Sequence, residues 1–382
     1  MPPGHSQTWE TLSIADVLDA LGVDRDAGGS QMQPYLAVPG NSGPRWLIPA
    51  ASRGTDFVLR AWRPYSITGQ MKWLAIRIAV RAGVAHFFPT VSSLTISRPS
   101  LHRWFERCGV RSQDAEMVVL VGNPSPDRKL IVFLLDDAHR IAAVLKIGLT
   151  PGGKLSVIRE ADVLGKLERY PWAPGVLSVH PDLGAAAQGY VDGAMPDRRF
   201  LAEYLELLCG LPQSSDCLPL SAAAHAMAAR LSPFAGELPG TGPDLVHRCL
   251  ACLDRENAIP TMLVHGDFAP WNIRRTAEYG PVLVDWEWAD FAGLPMHDLL
   301  HYQFSQDRLF GGKGGGYAAI RSSPLCAEYC KRMDLDAKLL PQLAVSYLLG
   351  QLESACRSGQ PEATAYPLRQ LAAVLDSLPS AT

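Results

Sequence analysis

The sequence lacks any long uninterrupted apolar run. Its most apolar window, residues 71–88, is interrupted by Lys72, Arg77 and Arg81, whose charges are costly near the centre of a bilayer. The chain also begins without the basic and apolar segments that mark a secretory signal. Its 8 cysteines are spread thinly, without the density of a small disulfide-stabilised scaffold. We therefore expect no membrane span and a reducing, cytoplasmic location.

Positive charge is not in excess either. The 35 Lys and Arg residues stand against 38 Asp and Glu residues, which gives a formal net charge of −3. No global positive field is therefore present to attract nucleic acid, and we expect no nucleic-acid partner. The 382 residues, of which 47% are hydrophobic and 19% charged, have the composition of an ordinary globular protein with room for more than one folding unit.

No phosphate loop of a standard glycine-rich pattern is present. Residues 311–316, GGKGGG, lack the G-x-x-x-x-G-K-[ST] order of a Walker A loop, and we predict a flexible loop that can move as a lid. The turn at residues 122–127, GNPSPD, has one glycine and two prolines. A G-x-G-x-x-G loop would offer a nucleotide several more backbone N–H groups.

Functional side chains are concentrated in residues 263–290, LVHGDFAPWNIRRTAEYGPVLVDWEWAD. Asp267 follows an apolar run, so we predict that it lies on a tight loop after a short buried strand. Asn272 closes the same loop, and its amide oxygen is a hard ligand of the kind that Mg²⁺ prefers. Asp285 follows a second apolar run, and we expect its strand to bring the carboxylate beside Asn272. Phosphoryl transfer from ATP needs this combination of a carboxylate near the acceptor hydroxyl and oxygen ligands for Mg²⁺.

The segments HGDFAPWN, VDWEWAD and HDLLHY resemble the motifs of the aminoglycoside phosphotransferase and choline kinase family. The resemblance covers residues 116–305. It implies an α+β, two-lobed protein-kinase-like fold with a small antiparallel-sheet N-lobe and a large helical C-lobe. It also implies ATP as the donor, Asp267 as the catalytic base, and Asn272 with Asp285 as ligands of Mg²⁺. Asp298 falls where the family has a structural Asp that braces the catalytic loop.

The resemblance extends to the lysine and glutamate that hold the nucleotide in kinases. Lys146 lies in AVLKIG within a predicted strand at residues 141–147, and it resembles the strand lysine that binds the α and β phosphates. Glu160 lies in a predicted helix at residues 154–170, where it is placed to pair with that lysine.

Two further segments are expected to contact the nucleotide because of where they stand in the family's order. Gly122, Asn123 and Ser125 belong to the turn that would cover the phosphates, between predicted strands at residues 117–121 and 130–135. Residues 189–193, GYVDG, stand where the family has its hinge, so Tyr190 and Val191 are expected at the adenine. Further strands are predicted at residues 176–179 and 185–191.

The chain divides on these grounds into three parts. Residues 1–110 form an N-terminal extension of unknown role, residues 111–195 the N-lobe with its hinge, and residues 196–382 the helical C-lobe. Within the extension we predict a helix at residues 9–21, ended by a glycine, two short strands in residues 45–62, and a helix at residues 66–82.

Two arginines on the helix at residues 66–82, Arg77 and Arg81, lie one turn apart on one face. We favour packing of this helix against the kinase body, with its basic side chains in solvent. An anionic surface or an acidic partner for the extension stays open.

The C-lobe is expected to begin with helices at residues 198–209, 220–234 and 245–257 and to close with helices at residues 339–356 and 366–378. Substrate choice is expected to lie in these helices. Which of the nearby acidic residues face an acceptor stays open; these are Asp192, Asp197, Glu203, Asp290 and Asp307.

Several side chains in the C-lobe have other possible roles. Cysteines at residues 249, 252, 326 and 330 lie in helical patterns, which favours buried thiols over a zinc site. His265 is favoured as a brace of its loop rather than as a general base. The tryptophans at residues 271, 286 and 288 are favoured as packing residues, while an aromatic box for a quaternary amine is the alternative.

The leading hypothesis is an ATP- and Mg²⁺-dependent kinase that phosphorylates a hydroxyl of a small molecule, such as a sugar, an amino sugar or an amino alcohol. One alternative is a kinase for Ser or Thr of a peptide in natural-product tailoring, with residues 1–110 gripping a leader segment. Another is a nucleotide-binding pseudokinase, which the intact Asp267, Asn272 and Asp285 disfavour.

Overall fold

The computed structural model describes residues 11–23, 32–50, 54–62, 64, 67–88, 90–196, 199–253, 257–309, 315–359 and 361–378. The chain forms two compact units. We call residues 8–195 and 274–287 the sheet unit, and residues 196–273 and 288–382 the helical unit. Asp197 and most of the predicted lid at residues 311–316 lie outside the described residues. Among the helices of the described ranges, none combines the length and apolarity needed to cross a membrane.

The N-terminal half of the chain alternates strands with short helices. Its elements are α1 (Ile14–Leu21), β1 (Met32–Gly40), β2 (Gly43–Pro49), α2 (Gly54–Ala61), α3 (Ile67–Arg81), β3 (Ser92–Ser97), α4 (Arg98–Arg107), β4 (Glu116–Val121), β5 (Lys129–Leu135), β6 (Ile141–Gly148), α5 (Pro151–Lys166), β7 (Val176–His180) and β8 (Ala185–Gly189). Short 3₁₀ turns lie at Ala85–Phe87 and Pro181–Leu183.

The C-terminal half is mainly helical. Its elements are α6 (Ala202–Cys209), β9 (Gln213–Pro219), α7 (Leu220–Leu231), α8 (Gly242–Leu253), β10 (Ala258–Val264), β11 (Ile273–Thr276), β12 (Gly280–Leu283), β13 (Asp290–Gly293), α9 (His297–Leu309), α10 (Gly316–Arg321), α11 (Pro324–Arg332), α12 (Leu340–Arg357) and α13 (Pro361–Asp376). Short 3₁₀ turns lie at Ser232–Glu237, Pro270–Asn272 and Ala337–Leu339.

An eight-stranded sheet is the centre of the sheet unit. The strand order is β3-β1-β2-β4-β5-β6-β8-β7, and every neighbouring pair is antiparallel. Strands β4, β5 and β6 read as nearly continuous apolar runs because both faces of the sheet are covered. One face packs on Leu18 of α1 and Trp104 of α4, and the other packs on Val58 of α2.

Of the two helices and two strands predicted in the extension, three are correct and one is wrong. The helices α1 and α3 and the strand β2 are confirmed, and α1 ends at Gly22 in a left-handed conformation, with φ of 59°. The second strand predicted within residues 45–62 is instead helix α2. Val58 and Leu59 are buried together on one side of this helix, and Asp56 and Arg60 pair one turn apart at 2.9 Å. The apolar residues therefore follow a helical period that a short window does not reveal.

The helical unit contains one small antiparallel sheet in the order β13-β10-β9. Strand β10 confirms the buried strand predicted before the Asp267 loop. Strand β9 was not predicted, because its sequence QSSDCLP is polar and lies at a sheet edge, where no apolar alternation is required. The hairpin β11–β12 confirms the strand predicted before Asp285.

The sheet includes strands from both sides of residue 110, where the N-terminal extension of unknown role is expected to end. Trp46 and Leu47 of β2 pair with Leu120 and Val119 of β4. Residues 32–97 thus supply three of the eight strands. The α+β class with a sheet part and a helical part is confirmed, while a separate role for residues 1–110 stays a prediction.

A chain that begins at residue 111 should not fold as a stable unit. It would lack β1 to β3, α1 and α4, so β4 would become an open edge and the core residues Met117 and Val119 would lose their packing partners. We expect it to aggregate or to show no cooperative transition in thermal unfolding followed by circular dichroism. A cooperative transition at the Tm of the full chain would contradict the shared core.

Candidate active site

A buried ion pair joins the strand β6 to the helix α5 in the sheet unit. The Lys146 ammonium donates to both carboxylate oxygens of Glu160 at 2.7 Å. The two side chains are 7% and 3% exposed, so water hardly solvates either charge. Thr150 caps the N-terminus of α5 by accepting from the Gly153 amide, and this cap fixes the start of the helix that carries Glu160.

Asp285 joins the same ion pair from the end of the hairpin β11–β12. Its Oδ1 accepts from the Lys146 ammonium at 2.6 Å. Its backbone has φ of +70°, in the left-handed region that non-glycine residues rarely adopt. The Asp285 side chain is 31% exposed beside the buried ammonium of Lys146, so this conformation presents a partly accessible carboxylate at the ion pair.

The charges of this cluster are mutually stabilised. Burial alone would lower the pKa of Lys146, but the carboxylates of Asp285 and Glu160 outweigh burial and raise it. Burial alone would raise the pKa of Asp285, but the ammonium groups of Lys129 and Lys146 hold it well below its ordinary value. Asp285 is therefore ionised at neutral pH, as a metal ligand must be.

Two further charged residues of this cluster, Lys129 and Glu287, were not predicted from the sequence. The Lys129 ammonium lies 2.7 Å from Glu287 Oε2 and 3.3 Å from Asp285 Oδ1. The Ser156 hydroxyl of α5 donates to the same Glu287 oxygen. A usable signal existed for both residues, since Glu287 lies two positions after Asp285, and Lys129 begins the strand that precedes β6.

The predicted phosphate turn is tied to the sheet by its own backbone and by two arginines. The Gly122 amide donates to the Lys129 carbonyl at 2.9 Å, and a Cβ at Gly122 would lie 2.7 Å from that oxygen. The Asn123 side chain accepts from Arg45 at 2.9 Å. The Ser125 carbonyl accepts from the Arg128 amide at 3.2 Å. These contacts fix the turn, and its role at a nucleotide stays a prediction.

The predicted hinge segment is anchored by main-chain contacts. Ala194 exchanges two backbone hydrogen bonds with Arg275, at 3.0 and 2.9 Å. The Tyr190 ring lies 6.3 Å from that of Phe57 in an edge-on contact, and burial together with Asp192 raises the pKa of Tyr190 to about 12. Val191 is half-buried. The adenine contacts of Tyr190 and Val191 stay predictions.

Asp267 is presented on a tight loop in the helical unit. The preceding Gly266 has φ of +84°, and a Cβ there would lie 2.3 Å from the Trp288 carbonyl. Only glycine fits this position. The Asp267 amide donates to the His265 ring at 3.3 Å, and His265 is fully buried. This geometry supports the bracing role expected for His265.

Asn272 holds the Asp267 carboxylate in place. Its amide nitrogen donates to the Asp267 carbonyl at 2.9 Å and to Oδ2 of the same residue at 2.7 Å. Because the nitrogen is used in these two contacts, a ligand role falls to the amide oxygen. The amide oxygen of Asn272 in the helical unit and the ionised carboxylate of Asp285 in the sheet unit are each a hard donor of the kind that Mg²⁺ prefers.

Asp298 braces the loop from the first turn of α9. Its Oδ2 accepts from the His265 amide at 2.7 Å and its Oδ1 accepts from the Gly266 amide at 2.9 Å. Both N–H groups would otherwise be buried without this acceptor, since Asp298 is only 4% exposed. The geometry agrees with the family position expected for Asp298.

A further residue of α9, His301, was not predicted. Its Nε2 lies 2.8 Å from Asp267 Oδ1, and its Nδ1 lies 3.3 Å from the Tyr347 hydroxyl. Since an ionised carboxylate only accepts, the Nε2–H donates to Asp267, and Nδ1 shares a hydrogen bond with the Tyr347 hydroxyl. The spacing gave a signal, because His301 follows Asp298 by three positions and so lies on the same face of the helix.

A cavity of about 90 Å³ opens beside Asp267 within the helical unit. Aromatic and apolar side chains form most of its wall, together with one arginine. The lining residues are Asp267, Trp271, His301, Phe304, Ser305, Arg308, Tyr347, Leu348, Gln351, Ala363, Tyr366 and Pro367. The Tyr366 hydroxyl donates to Asp307 at 2.6 Å.

The three predicted packing tryptophans have different surroundings. Trp286 is fully buried and stacks obliquely on Trp172 at 5.5 Å. Trp271 lines the cavity, and Trp288 is 51% exposed. Among the residues that the structure describes, no group of three or more His, Cys, Asp or Glu side chains is arranged to hold a metal ion.

The arrangement of an ionised Asp beside a Lys–Glu pair, with an Asp–Asn loop after a short strand, is typical of phosphotransferases. The chain matches the model of the phosphotransferase enzyme family over residues 130–321, which is half of its length. This chain belongs to the phosphotransferase enzyme family. It is therefore an enzyme that transfers a phosphoryl group to a hydroxyl, and the predicted membership in the aminoglycoside phosphotransferase and choline kinase group is confirmed.

Solved structures of several phosphotransferases are similar to this chain. A macrolide 2′-phosphotransferase type I is 15% identical over 72% of this chain and 97% of its own, with a TM-score of 0.48. A thermostable mutant of the aminoglycoside phosphotransferase APH(4)-Ia, in a complex with ADP and hygromycin B, is 13% identical over 74% and 98%, with a TM-score of 0.47. A choline kinase of Cryptosporidium parvum Iowa II is 11% identical over 68% and 88%, with a TM-score of 0.46. No curated protein is significantly similar to this chain.

Removal of the Asp298 carboxylate should destabilise the loop that carries Asp267. Asp298→Ala leaves two buried backbone N–H groups without their acceptor, and we expect a loss of about 2–5 kcal/mol in the free energy of unfolding, measured by urea denaturation. Asp298→Asn keeps one acceptor oxygen, so its loss should be smaller. Equal stability of Asp298→Ala and wild type would contradict the bracing role.

Proposed function

We propose that this phosphotransferase uses ATP and Mg²⁺ to phosphorylate a hydroxyl of a small molecule. The observation that carries the proposal is the contact of Lys146 with both Glu160 and Asp285. A lysine held by a helix glutamate beside an ionised aspartate is the arrangement that kinases use to bind the α and β phosphates next to the metal site. The buried charges of Lys146 and Glu160, placed beside a third charge, would be a costly way to stabilise the sheet without a ligand to serve.

Asp267 is the proposed base. The acceptor oxygen attacks the γ phosphorus as the bond from that phosphorus to the β–γ bridging oxygen breaks, and ADP leaves. The proton of the hydroxyl passes to Asp267, whose orientation is set by Asn272 and His301. Each carboxylate oxygen has a second lone pair that can accept from the acceptor hydroxyl. Mg²⁺ bound by Asn272 and Asp285 would neutralise charge on the phosphate oxygens.

The nucleotide is proposed to contact the turn and the hinge segment of the sheet unit. Gly122, Asn123 and Ser125 would lie near the phosphates, and Tyr190 and Val191 near the adenine. The anchoring of the hinge by Ala194 and Arg275 supports this assignment, because a nucleotide edge needs a fixed backbone to pair with. The cytoplasm, where ATP is available, is the proposed location.

The cavity beside Asp267 is the proposed site of the acceptor hydroxyl. Its described lining contains one carboxylate, Asp267, which already accepts from His301 and Asn272, and one cation, Arg308. Asp307, one of the acidic residues considered from the sequence, accepts from the Tyr366 hydroxyl. A polycationic acceptor would find few anionic partners in this lining, so a neutral sugar or alcohol fits better than an amino sugar or an amino alcohol.

Two alternatives are kept because particular observations favour them. A peptide Ser or Thr kinase, or another partner of residues 1–110, is supported by exposed apolar side chains on α3, namely Met71, Leu74 and Ile78, with Lys72 exposed among them. A nucleotide-binding pseudokinase is supported by the two prolines of the phosphate turn, which lack N–H donors.

The base can be tested with Asp267→Asn, which keeps the shape of the side chain but replaces one acceptor oxygen with an NH₂ donor and removes the basic carboxylate. We expect phosphoryl transfer to fall by at least about 100-fold, while the Kd for ATP changes little. ADP release would be followed against a panel of neutral sugars and alcohols, amino sugars, amino alcohols and Ser- or Thr-containing peptides.

Asp216→Asn, a change at an exposed aspartate of β9 in the same unit, is the matched control and should retain wild-type transfer. Transfer at the wild-type rate by Asp267→Asn would rule out the role of Asp267. Nucleotide binding by the wild type without transfer to any acceptor of the panel would favour the pseudokinase.

A further inference from the structure

The phosphate turn has few donors to offer a triphosphate. Prolines occupy positions 124 and 126 and carry no N–H. The Gly122 amide already donates within the sheet, and Arg128 donates from its side chain to the Gly122 carbonyl at 3.1 Å. The Asn123 side chain is engaged by Arg45. The negative charge of a triphosphate must therefore be compensated by groups outside the turn.

Lys129 is placed to supply that compensation. It begins β5 directly after the turn, two positions before Ile131, which pairs with Lys146 across the sheet. Because side chains alternate along a strand, Lys129 lies on the same face as Lys146. The two ammonium groups meet at one atom, Asp285 Oδ1, at 3.3 and 2.6 Å. The Lys129 side chain is only 12% exposed, so its charge is held toward this site rather than in solvent.

Each lysine has a carboxylate of its own besides the shared one. Lys146 is paired with Glu160, and Lys129 is paired with Glu287 at 2.7 Å. Glu287 is in turn held by the Ser156 hydroxyl of α5. When Asp285 serves as a metal ligand, Lys146 keeps Glu160 and Lys129 keeps Glu287, so both ammonium groups stay in position beside the metal ligand.

We propose that Lys129 is a second lysine that binds the triphosphate, and that Glu287 is the positioning residue that holds it there. The inference rests on the proposed use of ATP. It adds a charge-assisted contact from β5 that replaces the backbone N–H contacts of a glycine-rich loop. It assigns to the pair Lys129–Glu287 a function other than neutralising a buried carboxylate.

The test is isothermal titration of ATP, ADP and adenosine, each with Mg²⁺, into wild type and Lys129→Met. We expect the Kd for ATP to rise by about 10- to 100-fold, because a charged donor to the phosphates is lost, and the Kd for adenosine to stay unchanged. Lys129→Arg keeps the charge and should recover most of the affinity. Lys166→Met, an exposed lysine of α5 paired with Asp162, is the matched control and should bind ATP like wild type.

A double variant tests the proposal without leaving one charge of the ion pair buried and unpaired. Lys129→Met with Glu287→Met removes both partners of the ion pair, so it should fold even if Lys129→Met alone does not. The proposal predicts the same loss of ATP affinity in the double variant. ATP affinity equal to wild type in the double variant or in folded Lys129→Met would overturn it, as would an equal loss for ATP and adenosine.

Different results would reject the proposed use of ATP and the proposed role of Lys129. If the wild type binds none of the three ligands, the proposed use of ATP fails. If the wild type binds ATP and the Lys129 variants bind it equally well, the use of ATP stands and the role of Lys129 is rejected.

Discussion

The contact of one buried ammonium with two carboxylates is the constraint on which the sheet unit depends. Lys146, Glu160 and Asp285 come from a strand, a helix and a hairpin, and the buried charges of Lys146 and Glu160 would be costly without their partners. Their convergence fixes the positions of β6, α5 and the end of β12 relative to one another. It also explains why Asp285 adopts a backbone conformation that non-glycine residues avoid. The local strain is offset by two charge-assisted contacts.

A separate network of the same kind organises the catalytic loop of the helical unit. Asp298 accepts two backbone N–H groups of the loop, and Asn272 and His301 each hold one oxygen of Asp267. The loop is thereby fixed at its backbone and at its carboxylate. Since both ends of this network lie on α9 or in the loop itself, Asp267, the proposed base, is positioned before any substrate is present, as efficient transfer requires.

Residues that belong to a short local motif could be predicted from the sequence. Asp267, Asn272 and Asp285 are recognised by their spacing around two apolar runs, Asp298 by its place in the motif of the resembling family, and the strands β4 to β6 by their uninterrupted apolar residues. Residues whose contacts depend on the pairing of strands or on the packing of a helix against a loop were not predicted. Lys129 owes its contact with Asp285 to the register of β5 against β6, and His301 owes its contact with Asp267 to the packing of α9 against the loop. Sequence position hints at both residues but does not determine these contacts.

The fold of the N-terminal part shows the same limit. Helix α2 was misassigned as a strand because two adjacent apolar residues, Val58 and Leu59, fit either structure in a short window. Strands β1, β2 and β3 belong to the same sheet as β4. This depends on long-range strand pairing that no local pattern specifies. Tertiary packing decides both cases, and the sequence contains no local record of it.

The most direct measurement of the central claim is the effect of Mg²⁺ on ATP affinity in wild type and in Asp285→Asn, by isothermal titration. The account predicts that Mg²⁺ tightens ATP binding to the wild type by at least about tenfold, or about 1.4 kcal/mol, and that Asp285→Asn loses this gain because its side chain no longer offers an anionic ligand. An equal gain with Mg²⁺ in both proteins would contradict the account.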